Sequence, residues 1–387
     1  INDVETKEKN SFMQNNSFLY NFYYQWWKNI DRSIFLLITI LFVIGLFFSL
    51  VSTSLIASDK LETNSYFFFF KHLIYICIGI FIIFIFSSIN TDQLFRYSNI
   101  LFFIALLSLF LVPIIGIEVK GSRRWINLLS LPRFQPIELL KPFLIVMLAT
   151  ILCNNRSSNL YFKYLISVIL VSTIALLLIM QPDIGQTLLV AFSWAILIFT
   201  SGINIFLLFG FFLFVLFLLA YLIIYVPKFD YVQSRIFSFF NRETGTHNFQ
   251  SDKAIESIAS GGFFGKGIGE GTLKNRVPEA HTDYIISVIS EEFGVVAIIL
   301  ILILFLTLIY MVFKKINYEK SEKIKLVLIG CVSLILMQAT IHVGVNIRLF
   351  PTTGMTLPFL SYGGSSIVSV SILSGIILNL TKRKVNH

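Results

Sequence analysis

The sequence predicts an all-α polytopic integral membrane protein with about ten transmembrane helices. Of its 387 residues, 56% are hydrophobic and 13% are charged, whereas about a quarter are charged in an average soluble domain. Mean hydropathy is +0.82, and a soluble protein of this length cannot bury so much apolar surface. These values exclude a soluble enzyme, a disordered chain and a secreted disulfide scaffold.

Ten apolar runs approach the length of about 20 residues that a helix needs to cross the hydrocarbon core. They lie at 33–55, 67–89, 99–117, 138–153, 164–181, 186–201, 203–226, 294–313, 326–346 and 366–381. Between spans seven and eight, residues 227–292 form a polar, glycine-rich segment, which we expect to be a functional loop. The predicted organisation is therefore a tail at 1–32, a membrane domain at 33–381 and a basic tail at 382–387.

The distribution of Lys and Arg predicts the orientation of the chain. Ten spans place both termini on one side of the membrane, and that side carries 15 Lys and Arg against 8 on the other, once the seven in the long loop are discounted. Both termini are therefore predicted to be cytoplasmic and the long loop extracytoplasmic. The net charge of +9 favours anionic lipid over nucleic acid as a partner.

Two polar segments interrupt the spans on the outer side. In the first, Pro136 suits the first turn of a helix, which places Glu138 and Lys141 on one helix face. This pair is either an interfacial ion pair or part of a polar cavity with a cationic floor. The second segment, 181–186, predicts a turn in which Asp183 caps the following helix.

The long loop contains a segment at 251–271 that predicts a short amphipathic helix ending in glycine turns. Gly261 to Lys266 superficially resembles a phosphate-binding loop. The segment lacks the spacing and the hydroxyl residue of a Walker motif, and no strand precedes it, so we exclude a nucleotide site.

Asp283 stands at the outer mouth of span eight. A carboxylate there is costly unless it is solvated or paired. Its charge either complements the helix dipole or serves as a general base toward a substrate hydroxyl. His281 is expected to be a hydrogen-bonding partner, since no second His or Cys lies at metal-ligand spacing.

Residues 346–366 combine prolines, paired glycines and hydroxyl side chains. They predict irregular backbone at membrane depth, which is stable only where it is buried in protein or lines a wet cavity. The alternative is a re-entrant loop that caps the last span.

All these polar segments fall on the predicted outer side and suit an amphiphile with an anionic head. The residues alone therefore leave open both an enzyme that acts on such a lipid and a transporter that moves it.

Taken together, six segments resemble the SEDS family of bacterial peptidoglycan polymerases. They are 121–128, 135–141, 181–185, 260–267, 278–283 and 357–366, and the resemblance extends from about residue 33 to 384. Pro-Glu-Ala-His-Thr-Asp at 278–283 and Thr356 before Leu-Pro are more similar to the division branch (FtsW type) than to the elongation branch (RodA type).

The resemblance implies an inverting glycosyltransferase that polymerises lipid II, with a growing glycan on undecaprenyl diphosphate as donor. It implies that Asp283 is the general base toward the acceptor hydroxyl, and that Glu138 orients Lys141. The residues expected to bind the diphosphate are Arg124, Arg133, Lys141, Lys253 and Lys266. The residues expected to line the substrate cavity are Trp125, Gln135, His281, Thr282, Ser361, Tyr362 and Ser365.

The implied location is the bacterial inner membrane at the division septum, with the active site outside. The implied partners are a class B penicillin-binding protein and other divisome membrane proteins. We expect no organic cofactor and no all-protein metal site, although a divalent cation could accompany the diphosphate. The alternatives are a lipid II flippase, a non-catalytic division scaffold and the elongation-type polymerase. The almost purely apolar inner halves of the spans argue against the flippase.

Overall fold

The computed structural model consists mainly of long helices. It describes residues 20–21, 23–53, 66–119, 122–127, 132–154, 159–226, 249–271 and 280–382, together with 233, 234, 237 and 239. The helices are α1 (Arg32–Thr53), α2 (Phe67–Ser88), α3 (Thr91–Ile115), α4 (Pro136–Leu152), α5 (Leu160–Met180), α6 (Ile184–Thr200), α7 (Ile205–Tyr225), α8 (Phe249–Gly261), α9 (Ile285–Tyr318), α10 (Glu322–Asn346) and α11 (Gly364–Leu380).

Each of the ten predicted spans overlaps one of these helices. Among the described residues, six helices are long and apolar enough to cross a membrane: α1, α2, α3, α5, α9 and α10. Two further apolar helices, α6 and α11, are shorter. The helical membrane architecture is confirmed, whereas the count of ten spans and the position of the long loop stay predictions. Of the predicted tails at 1–32 and 382–387, residues 1–19, 22 and 383–387 lie outside the described residues. In the predicted loop at 227–292, the same holds for 227–232, 235–236, 238, 240–248 and 272–279.

Helices α4, α10 and α11 form the centre of the bundle, because most of their side chains are buried. Helix α4 contacts α3, α5, α6, α10 and α11, and α2 packs closely along α11. Small residues allow that close packing: a Cβ atom built on Gly79 of α2 would lie 2.5 Å from Ser371 Oγ. Such contacts let helices associate where lipid supplies no hydrophobic driving force.

Polar contacts tie one end of the bundle together. Trp26 Nε1 donates to Ser87 Oγ (2.8 Å), and Asp31 at the start of α1 pairs with Lys315 near the end of α9 (2.7 Å). Lys382 Nζ donates to the carbonyl of Ile89 in the turn between α2 and α3 (3.0 Å). The first and last parts of the described chain therefore meet at one end of the bundle.

A short antiparallel hairpin, which the sequence analysis did not predict, lies between α3 and α4. It pairs β1 (Ile117–Val119) with β2 (Ser122–Trp125). A further bridge joins Ile126 to Phe134 just before α4. The strands are too short to show an alternating pattern in the sequence, and β2 contains two consecutive arginines, which are not typical of a strand.

Helix α9 begins at Ile285 rather than at the predicted 294, and it contains a sharp break. Gly294 has φ +75° and ψ −178° inside the helix. The segment before the break carries Ser287, Ser290, Glu291 and Glu292, all buried, and these polar side chains lowered the local hydropathy below that of a span. Burial against α8 explains why a polar segment is stable there.

The break in α9 is paired with the glycine turn that follows α8. The amide of Lys266 donates to the carbonyl of Glu291 (2.9 Å), and that of Gly267 to Glu292 (3.0 Å). In the other direction, Val295 N–H donates to the carbonyl of Gly262 (3.1 Å). The predicted amphipathic helix with glycine turns is thus confirmed, and its turns satisfy backbone groups that the break exposes.

We predict that Gly294→Ala destabilises the protein. A Cβ atom there would lie 2.1 Å from the carbonyl oxygen of Phe263. The backbone conformation, φ +75° with ψ −178°, is essentially restricted to glycine and costs another residue about 1–3 kcal/mol. The loss of stability would be measured as a lower unfolding temperature in detergent, with size-exclusion chromatography after heating as the readout. Gly210→Ala in α7 is the matched control, because no atom lies within 4 Å of its added Cβ. Equal unfolding temperatures for both variants would contradict the prediction.

Candidate functional site

A buried ion pair stands at the head of α4. Lys141 Nζ lies 2.8 Å from Glu138 Oε1, with the side chain of Lys141 fully buried and that of Glu138 5% exposed. Gln186 of α6 donates to the same carboxylate oxygen (2.7 Å), and Lys141 donates to Gln338 of α10 (3.2 Å). The predicted pair on one helix face is confirmed, and two amides that the sequence analysis missed surround it.

A second layer of polar contacts covers this pair on the hairpin side. Gln135 Nε2 donates to Asp183 Oδ2 (2.8 Å), and the guanidinium of Arg124 lies 3.6 Å from Asp183 Oδ1. Arg124 also donates to the carbonyls of Gln181 (3.1 Å) and Pro182. Burial raises the pKa of the Asp183 carboxyl and Arg124 opposes that shift. Asp183 also caps α6, as predicted, by accepting from the amide of Gln186 (3.5 Å).

Asp283 lies in the turn at 280–284 that precedes α9. Its side chain is partly exposed, and a Cβ atom built on Gly354 would lie 3.5 Å from its Oδ2. Thr282 beside it is also partly exposed. The carboxylate therefore lies at a boundary between protein and open space, close to the backbone of the 347–363 segment.

Aromatic rings pack around His281, which lies two positions before Asp283. The ring of His281 lies 4.9 Å from that of Phe68 and 5.8 Å from that of Tyr362. The amide of Tyr362 also donates to the carbonyl of His281 (3.1 Å). The first turn of α2, which contains Phe68, is thereby part of the site, and the sequence analysis did not anticipate this.

The irregular segment at 347–363 connects the Lys141 cluster to Asp283. The side-chain oxygen of Gln338 accepts a hydrogen bond from the ammonium of Lys141, and its Nε2 donates to the carbonyl of Thr356 (3.0 Å). The backbone of Gly185 lies directly against Thr353 and Met355 in the same segment. One segment therefore contacts the 181–185 turn and the Asp283 turn, and it is linked to the α4 ion pair through Gln338.

Two predicted hydroxyl residues have backbone partners. Ser361 Oγ accepts from the amide of Leu357 (2.9 Å) and closes a buried turn. Ser365 Oγ, at the start of α11, accepts from the amide of Gln135 (3.1 Å). Both side chains shape the wall of the site by holding the backbone around it.

The remaining predicted cations and Trp125 lie elsewhere around the site. Lys253 pairs with Glu256 on α8 (2.5 Å), and Lys266 lies 3.5 Å from the buried carboxylate of Glu291. Arg133 is exposed and Trp125 is partly exposed on the hairpin side. No described contact joins Lys253 or Lys266 to Lys141, so the five predicted cations do not form one cluster.

The site therefore presents a partly exposed carboxylate above a buried, hydrogen-bonded ionic cluster. The residues that sequence analysis missed there, Gln186 and Gln338, are amides inside predicted spans. Polar side chains at such depth are usually functional, and this signal was available in the sequence. Within the described residues, no group of three His, Cys, Asp or Glu side chains could hold a metal ion.

Comparison with known sequences gives consistent matches over most of the chain. The profile of the FtsW, RodA and SpoVE family, described as cell cycle protein, matches residues 31–386. A protein of Nitrosomonas europaea named probable peptidoglycan glycosyltransferase FtsW is 34% identical over 363 residues, covering 90% of this chain and 92% of that protein. One of Enterococcus hirae with the same name is 34% identical over 298 residues, covering 73% and 74%.

Solved structures share the fold. A chain from a study of polymerization and crosslinking by a peptidoglycan synthase complex superposes with a TM-score of 0.72 at 25% identity, covering 91% of this chain and 97% of that one. The rod shape determining protein RodA of Thermus thermophilus superposes with a TM-score of 0.67 at 26% identity, covering 92% and 97%.

We predict that Glu138→Gln destabilises the protein by about 3–5 kcal/mol, because it leaves the buried Lys141 ammonium without its countercharge. The double variant Glu138→Gln with Lys141→Met should recover part of that loss. Glu322→Gln is the matched control, because Glu322 forms an i, i+3 pair with Lys325 (2.9 Å) but its side chain is 75% exposed. An exposed pair contributes about 0–1 kcal/mol. Equal thermal stabilities of the two single variants would contradict this assignment.

Proposed function

This chain belongs to the FtsW, RodA and SpoVE family of cell cycle proteins and is a division-type peptidoglycan glycosyltransferase, and from that premise we propose how its site performs the reaction. We propose that lipid II is the acceptor and that a glycan on undecaprenyl diphosphate is the donor. The 4-hydroxyl of the acceptor GlcNAc attacks the donor's anomeric carbon, the new glycosidic bond forms with inversion, and undecaprenyl diphosphate leaves.

Asp283 is the proposed general base. An alcohol is a weak nucleophile, and its attack is easier when a carboxylate accepts its proton in the transition state. The observation that carries this assignment is the position of Asp283, partly exposed beside Gly354, where polar segments of this chain meet. Three other carboxylates around the site, Glu138, Asp183 and Glu291, are buried beside cations, so they lack the exposure that a base toward a substrate hydroxyl needs.

The leaving diphosphate needs positive charge more than it needs an acid, because negative charge develops on its oxygens. Arg133 and Lys266 are the proposed contacts from the exposed rim, since Arg133 is exposed and the side chain of Lys266 is 34% exposed. Lys141 is buried and bonded to Glu138 and Gln338. We therefore propose that it acts on the diphosphate through its positive electrostatic potential and that it helps to hold α4, α6 and α10 in place. A divalent cation bound to the diphosphate itself would add to this charge.

The proposed setting is the outer face of the inner membrane at the septum, with both termini in the cytoplasm. One structural relative comes from a complex that couples polymerization to crosslinking, which supports a class B penicillin-binding protein as partner here. We propose that other divisome membrane proteins bind the same assembly. The names of the relatives favour a polymerase over a lipid II flippase.

We predict that Asp283→Asn abolishes the formation of glycan strands. The amide keeps the shape of the side chain but cannot accept the proton, and general-base catalysis typically contributes about 10²–10⁴-fold. The measurement is lipid II polymerisation in proteoliposomes, with and without the cognate transpeptidase, read as glycan ladders on gels.

Asp92→Asn is the control for this experiment, because Asp92 lies in the first turn of α3 at the end of the bundle away from the site. Its ladders should match those of the wild type. Ladders of normal intensity from folded Asp283→Asn would remove Asp283 as the base. Transbilayer movement of lipid II without any ladders would favour the transporter.

Depletion of the protein in its own bacterium is expected to block septation and give filaments, because a division-type polymerase supplies the septal wall. Light microscopy during depletion measures the outcome. Rounded cells would instead indicate the elongation-type role.

A further inference from the structure

The backbone of Asp283 is held by a buried side chain on another helix. Asn346, the last residue of α10, is fully buried. Its Nδ2 atom donates to the carbonyl of Asp283 (3.1 Å) and to the carbonyl of His342 (2.8 Å). The two amide hydrogens therefore serve two carbonyls, and the reverse orientation would place an oxygen against both of them.

His342, one helical turn earlier, performs a similar task on the neighbouring segment. It is fully buried, and its Nδ1 lies 2.7 Å from the carbonyl of Met355. Because a carbonyl only accepts, Nδ1 must carry the proton. Met355 follows Gly354, whose backbone lies next to the carboxylate of Asp283. The carbonyl of Asp283 and the carbonyl of Met355, which follows the neighbouring Gly354, are thus bonded by side chains on adjacent turns of α10.

We propose that Asn346 is a positioning residue for the reaction, which sets the place of the Asp283 carboxylate through the backbone of its turn. This inference rests on the proposed role of Asp283 as the base. The ring and backbone contacts described above act on His281, whereas the bond from Asn346 acts on Asp283 itself. Helix α10, which carries Asn346, lies at the centre of the bundle, and its residues Leu334 and Ile335 are nearly inaccessible. A catalytic group must be held by supporting residues on rigid elements, and a displacement of about 1 Å can cost about 100-fold in rate.

The chain offers a matched control for this contact. Asn379 of α11 is also buried, and its Nδ2 donates to two carbonyls, those of Phe86 (2.8 Å) and Ile89 (2.6 Å). It performs this task at the opposite end of the bundle, far along the chain from the Asp283 turn. Asn379→Leu removes the same chemistry as Asn346→Leu but leaves Asp283 untouched.

We expect Asn346→Leu to lower kcat for lipid II polymerisation by about 10–100-fold with KM unchanged, because the base is displaced while substrate contacts remain. Asn379→Leu should lose comparable thermal stability and keep its kcat. Asn346→Ser is a milder variant, since a helical serine donates to the carbonyl four residues earlier, here that of His342. It should fold like the wild type, lose only the bond to Asp283, and still lower kcat.

Wild type, the three asparagine variants and Asp283→Asn are assayed together, with rates normalised to folded protein. Equal kcat for Asn346→Ser, Asn379→Leu and wild type, beside an inactive Asp283→Asn, would overturn the positioning role and leave the proposed base intact. Full activity of Asp283→Asn would overturn the base assignment and this proposal with it. A raised KM at unchanged kcat in Asn346→Ser would also overturn it, since that result indicates a substrate contact.

Discussion

The structure depends on the rule that polar groups out of reach of water must find partners inside the protein. The clearest case is the Glu138–Lys141 pair, which is almost inaccessible and receives two further amide contacts, from Gln186 and Gln338. These contacts connect three helices, α4, α6 and α10. A nearly inaccessible ion pair and its two amide partners therefore join the central helices to one another.

The same rule explains the irregular segments around that cluster. The break at Gly294 exposes backbone groups, and the glycine turn after α8 supplies their partners. The 347–363 segment runs without regular structure, yet Gln338, His342 and Ser361 bond its backbone. Non-helical backbone is thereby held in a defined position beside Asp283. The helices carry the buried side chains that bond the irregular backbone, such as Gln338 and His342. The partly exposed carboxylate of Asp283 lies in a turn.

The contacts also separate two kinds of residue that the sequence presents alike. Asp283 and Glu138 are both acids at the head of a long helix, but one is partly exposed and the other is buried against a lysine. Lys141 and Lys266 are both candidate cations, but only Lys266 reaches the surface. The proposed chemistry of the polymerase follows from this difference, because a base and a leaving-group contact must be accessible while a structural ion pair need not be.

The sequence by itself determined the membrane class, the helical positions, the capping role of Asp183 and the side-by-side placement of Glu138 and Lys141, because these depend on local hydropathy and helix geometry. The amphipathic α8 and its glycine turns were predictable for the same reason. The hairpin, the early start of α9, the aromatic contacts of His281 and the bond from Asn346 to Asp283 were decided by the tertiary structure. The hairpin is local, but its strands of three and four residues are too short to show a pattern. Each of the other features joins residues distant in the chain, and such pairings depend on how the helices pack, which no local pattern encodes.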